Sequence, residues 1–163
     1  MLALRYVGLL SLVVWVGGLL ALGAIGAPSI FGVLASHPGD GGRLLAGAIF
    51  GETLRRFHLV SYGCGVVLLG TMVVRAVLGP RPRRFAVRAA IALVMLAASV
   101  YSGVVVSAQI ARAQAAIGAA APSSLPEADP RRVQSGRLHA ASTGLELIPV
   151  LGGLMLLLWE LKD

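Results

Sequence analysis

At 163 residues the chain has the length of one domain, and its composition excludes a soluble one: 57% of residues are hydrophobic and 13% charged, against about 25% charged in soluble domains. The formal net charge of +7 comes from thirteen arginines and one lysine set against seven acids. The arginines gather at the ends of apolar runs, where lipid phosphates are the nearest anions, so nucleic acid is not expected as a partner.

A membrane-crossing helix needs about 20 mainly apolar residues. Tyr6–Gly39 contains no Asp, Glu, Lys or Arg, and a first span is expected from about Tyr6 to Ile30. Its start, with Arg5 ahead of an apolar run and Gly23-Ala-Ile-Gly-Ala27 behind it, looks like a secretory signal. The run exceeds the roughly 7–15 residues of a signal core, so it is read as a retained span. Gly17, Gly18, Gly23 and Gly26 would admit a close helix neighbour, and Trp15 reads as packing. Pro28, Pro38 and Gly39–Gly42 then break the connection, and His37 reads as a loop residue. Leu44, Leu45, Ala48, Ile49 and Glu52 follow helical spacing beside Arg43, Arg55 and Arg56. This predicts a short helix lying in the interface and feeding into span two.

Span two is expected over about His58–Leu78, with Arg75 snorkelling to the surface. The one cysteine, Cys64, lies inside it, which leaves no disulfide and no CxxC metal site. The basic turn Gly79-Pro-Arg-Pro-Arg-Arg84 leads to span three, about Ala86–Arg112. Pro122–Pro130 forms the longest loop. Span four, about Arg137–Glu160, requires Glu146 to be tolerated inside; Gly152 and Gly153 permit close packing, and Trp159 with Glu160 and Lys162 looks like an interface anchor. The expected fold is an all-α integral membrane four-helix bundle in a single domain. The lipid bilayer is its first partner. Lys and Arg divide evenly between the two sides, but Arg75–Arg88 packs five arginines into a short loop. That density places this loop and both termini in the cytoplasm.

Spans two and four open alike. Arg56-Phe57-His58-Leu59-Val60-Ser61-Tyr62-Gly63 aligns without gaps to Arg137-Leu138-His139-Ala140-Ala141-Ser142-Thr143-Gly144, sharing Arg-x-His-x-x-Ser-x-Gly at an offset of 81 residues. This predicts an internal 2+2 duplication whose halves run parallel. His58 and His139 would then face each other at one depth, where two neutral imidazoles can hold iron, copper or zinc. Gly65 would leave room for a flat macrocycle, while Arg55, Arg56 and Arg137 at the rim would meet haem carboxylates. Ser61 and Ser142 accompany the site. Together these point to a non-covalent b-type haem, with copper as the alternative metal. Paired histidines can also simply bond across a helix interface, and serines can bond back to their own helix.

Glu146 is a separate signal. An acid inside a span defaults to a functional role, and Pro149 frees the carbonyl of Leu145 nearby. A proton relay, an ion contact and a plain structural pairing are all open to it.

Trp15-Val-Gly-Gly18, Ala27-Pro-Ser-Ile-Phe31 and Arg137-Leu-His-Ala-Ala-Ser142 resemble a four-span family that includes bacterial relatives of transmembrane protein 205 and is similar to the copper-resistance D membrane proteins. The resemblance implies a four-helix bundle in a bacterial inner membrane, with links to copper or haem. It supports His139 and Ser142 best. Span one has no histidine, a departure from haem-binding relatives that oxidise protoporphyrinogen. With no nucleophile–base pair, phosphate loop or paired carboxylates, an enzyme is the less expected outcome. The leading expectation is a membrane cytochrome passing electrons near the outer face. The alternatives are a cofactor-free accessory subunit or homo-oligomer packing through small-residue helix faces, and copper handling.

Overall fold

The computed structural model describes residues 2–36, 41–79, 84–118 and 120–162. His37, Arg81 and Arg83 lie outside these residues. Four long apolar helices make up the chain, and it is a multi-pass membrane protein in contact with the lipid bilayer. Span one is α1 (Leu2–Ala21), a wide π turn (Leu22–Gly26) and α2 (Ala27–Ala35), in unbroken succession. Pro28 falls in the first turn of α2, where its missing N–H costs little. Span two is a single helix, α3 (Gly41–Leu78). Span three joins α4 (Phe85–Val100), a second π turn (Tyr101–Val106) and α5 (Ser107–Ile117). A short 3₁₀ turn, Pro122–Ser124, leads to α6 (Pro130–Lys162), which is span four.

Two expectations change. The segment expected as a separate interfacial helix is helical, but it forms the first turns of α3 rather than an element of its own. Gly42 and Ala46 are buried there, and Glu52 pairs with Arg55 and Arg56 on the same helix at 2.7 Å each. No proline falls between Gly41 and His58, and the Thr53 hydroxyl bonds back to the Ile49 carbonyl at 2.8 Å instead of capping a new helix, so α3 runs on. Span four likewise starts earlier than Arg137. Asp129 caps it, accepting from the Arg131 N–H at 2.8 Å, and Pro130 takes the first helical position.

Each span packs on its sequence neighbours, and span one closes onto span four. Spans two and four therefore sit on one diagonal of a square, and spans one and three on the other. Leu12, Trp15, Val16, Leu19, Leu68, Ala92, Met95 and Leu156 fill the core, while Val13, Leu20, Val66, Leu93 and Leu151 point outward. In lipid, outward apolar groups gain nothing by burial, so close backbone approach and polar contacts hold the helices together. Gly18 lies against Phe57, Gly152 against Met95 and Gly153 against Val16. A Cβ added at Gly17 or Gly23 would meet nothing within 4 Å among the described residues, so span one uses fewer of its glycines for close packing than expected.

At the end where α1 begins and α6 finishes, Glu160 gathers three arginines. Arg5 Nε lies at 2.9 Å from Oε1, Arg75 Nη1 at 3.1 Å from Oε1, and Arg88 Nη1 at 3.1 Å from Oε2. The Arg5 guanidinium also donates to the Glu160 carbonyl. Trp159 lies beneath the guanidiniums of Arg84 and Arg88, 5.5 and 5.9 Å from their carbons, as the expected interface anchor would.

Candidate functional site: a buried histidine–glutamate pair

His58 sits one residue after Phe57 on α3, on the face turned to the bundle axis, and only 2% of it is exposed. Its Nε2 and Glu146 Oε1 of α6 share a hydrogen bond of 2.8 Å. This contact crosses the square along its diagonal, between two helices whose backbones do not pack on each other. Long side chains bridge the gap that the backbones leave.

The surroundings come from spans two, three and four. Tyr62, one turn along α3, stacks at 6.1 Å between ring centroids and donates to the Ser99 carbonyl at 3.4 Å. Gly103, within the second π turn, lies against the His58 ring. A Cβ there would come within 2.8 Å of Cγ and 3.0 Å of Nδ1, and would strike the Tyr62 hydroxyl. The π turn carries one residue more than an α turn, which swings Ser102 and Gly103 towards the axis. Trp15 Nε1, His58 Nδ1, the hydroxyls of Ser61, Ser99 and Ser102, and Glu146 Oε2 are buried with no hydrogen-bond partner among the described residues. Hydrogen-bonding capacity left unused in this way is expensive in a packed interior.

The structure does not bring the two histidines together. His139 is exposed, and it lies seven residues before Glu146 on the same helix, about 10 Å nearer the start of α6. Those seven residues are two turns, so His139 and Glu146 share a face. The face was legible; the depth was not, and Glu146 is the residue level with His58. Nor is Gly65 open. Trp15 fills the space beside it, 3.1 Å from where its Cβ would be, with Leu96 at 2.8 Å. Arg56 turns to Glu52 of its own helix, and Arg137 is exposed. Ser61 is fully buried at the site, whereas Ser142 is half-buried beside exposed His139. Among the described residues no three His, Cys, Asp or Glu side chains cluster as a metal site would need.

Tyr62, Ser99, Ser102 and Gly103 joined the site only in three dimensions. Serines and glycines are frequent in any membrane helix, so only the π turn, which sequence spacing does not reveal, singles out Ser102 and Gly103. One structural echo of the proposed duplication is present. Shifted by 81 residues, the π turn Leu22–Gly26 falls on residues 103–107 and overlaps the π turn Tyr101–Val106.

No curated protein and no solved structure matches the chain. One family model does, over residues 10–119, and it takes in Trp15, His58, Ser61, Tyr62, Ser99, Ser102 and Gly103 but not Glu146. The match covers more than half of the chain, which therefore belongs to the family described as a domain of unknown function, DUF4149.

Proposed function

We propose that this protein acts through His58 and Glu146 as a protonatable pair at the centre of a membrane bundle, taking up and passing on a proton. The 2.8 Å hydrogen bond across the diagonal carries this reading. A proton on the pair can sit on the carboxyl or on the imidazole, and the net charge is zero in either placement. Losing or gaining one changes the charge of the membrane interior by a full unit. Such a site is costly to build in hydrocarbon and is kept where protons or ions pass. Ser61, Ser99 and Ser102 offer hydroxyls able both to donate and to accept, as a relay requires. Two measurements on protein reconstituted in bilayers test the proposal. The His58 ring nitrogens, followed by NMR, should change their chemical shifts in E146Q, which keeps the shape of the side chain but removes its carboxylate. Proton flux into vesicles should fall by more than about tenfold in E146Q, a loss of roughly 1.4 kcal/mol or more, and stay unchanged in H139A. Ring nitrogens indifferent to E146Q, or a flux that E146Q leaves unchanged, would overturn the reading.

A metal reading rests on His58 alone. A carboxylate on one ring nitrogen commonly stands behind a histidine that ligates metal through the other, and Nδ1 has no partner. This favours copper over a b-type haem, since Trp15 fills the space beside Gly65 that a macrocycle would take. It also agrees with the resemblance to the copper-resistance D group. Metal analysis and a reduced-minus-oxidised spectrum separate the cases: copper without an iron porphyrin supports the metal reading, a Soret shift revives haem and electron transfer, and neither leaves the proton pair alone. The five arginines within Arg75–Arg88 support a bacterial inner-membrane location with both termini cytoplasmic. The protein's outward faces would meet other membrane subunits or a second copy, which co-purification at fixed stoichiometry would reveal.

A further inference from the structure

Between the His58–Glu146 pair and the Glu160 end of the bundle lies an apolar layer. Gly153 of α6 stands seven residues after Glu146 and seven before Glu160, about 10 Å from each. Gly65 of α3 stands seven residues after His58, so on these two parallel helices it is level with Gly153. Spans one and three fill the room that the glycines leave. A Cβ on Gly65 would come within 3.1 Å of the Trp15 ring and 2.8 Å of Leu96. One on Gly153 would strike Val16 and come within 3.4 Å of Met95. Trp15 and Met95 are wholly buried there, the two largest such side chains among the described residues. All four spans thus close one layer around them.

A proton crosses an interior along groups that both accept and donate hydrogen bonds, and this layer interrupts any such row. Trp15 Nε1, buried with no partner among the described residues, only donates, and the Met95 thioether accepts weakly. On one side, His58 is one turn from exposed Arg55 on α3. On the other, a cavity of about 40 Å³ opens from the Glu160 end, room enough for water. Arg5, Thr71, Arg75 and Glu160 give it polar walls, and its apolar walls include Leu12, 3.4 Å from where a Gly153 Cβ would be. We propose that Trp15 and Met95 form the gate between the pair and this cavity. The proposal rests on the proton reading of the pair. Constrictions of this kind stop ions by excluding water, so the pair exchanges protons with the end where α3 and α6 begin and reaches the Glu160 end only when the two side chains part. Each passage moves one proton from the pair to water in the cavity, and no other bond changes.

The test is proton flux, driven by a pH gradient, into vesicles holding the whole protein. W15A and M95A, which hollow the layer, should each raise the flux roughly tenfold or more. M95L keeps the volume and should leave it unchanged. Adding E146Q to W15A or M95A should bring the flux down to that of E146Q alone, a dependence that a merely leaky bundle would not show. M95A decides where W15A fails to fold. Hollowed variants no faster than wild type, with E146Q still slow, would overturn the gate and leave the pair standing. A raised flux that E146Q does not reduce would also overturn it, because the opening would then bypass the pair. Failure of the pair itself reads differently: E146Q would leave the wild-type flux unchanged.

Discussion

Removing either partner of the His58–Glu146 bond leaves the other buried without it, and the cost of an unmet buried polar group exceeds the worth of the bond itself. H58L and E146L should therefore each lose about 1–3 kcal/mol of stability in thermal unfolding. The double variant H58L/E146L, in which both polar groups are gone, should recover most of that loss. A double variant as unstable as the sum of the singles would mean the two side chains do not depend on each other. Gly103 gives a steric counterpart. G103A would push a methyl into the Tyr62 hydroxyl and the His58 ring, an overpacking expected to cost about 1–3 kcal/mol. G144A, with nothing within 4 Å of its new methyl, should be tolerated in the same melting assay. Both His58 and Glu146 stood out in the sequence, one through the duplicated motif and the other as an acid within a span. Their partnership did not, because helical periodicity fixes which face a residue takes but leaves sliding along the axis free.

The helices themselves were legible where charge-free runs exceed a bilayer's width, as in span one and span three. Their ends were less so. Arg43, Glu52, Arg55 and Arg56 looked like an interfacial helix because polarity marks the membrane boundary, yet polarity does not end a helix. Caps and prolines do, and α3 has neither inside it. The start of α6 shows such a signal at Asp129-Pro130. There the Arg131 side chain and N–H hold the Asp129 carboxyl below its ordinary range. A carboxyl with a lowered folded-state value contributes stability above the ordinary carboxylate range and loses it as pH falls through the lowered value. Amide exchange of Arg131 should thus speed up only in strong acid. D129N keeps an oxygen for the cap and should leave the first turn closed without that acid dependence, whereas D129A should open it at neutral pH.

At the scale of the whole molecule, the bundle is pinned at two levels, and both pins use an acid of span four. Glu146 reaches across the diagonal to span two, and Glu160 draws in one arginine from each of the other three spans. That span four would be the common partner was hidden in the sequence, where its two acids read as unrelated features of one helix. E160Q should cost about 2 kcal/mol in neutral detergent, the scale of a hydrogen bond to a charged group. E52Q should barely move the melting point, since its pairs with Arg55 and Arg56 lie at the surface. Glu146 and Glu160 are fourteen residues apart on one helix, or about 21 Å. Substitutions that far apart with no shared partner normally add to within about 0.5 kcal/mol. E146Q/E160Q should accordingly lose the sum of the two single losses, provided α6 stays in register. A double variant clearly less damaged than that sum would mean the first loss already lets span four slide along its neighbours. The depth at which His58 meets Glu146 would then be set by the arginine cluster at the far end as much as by the pair itself.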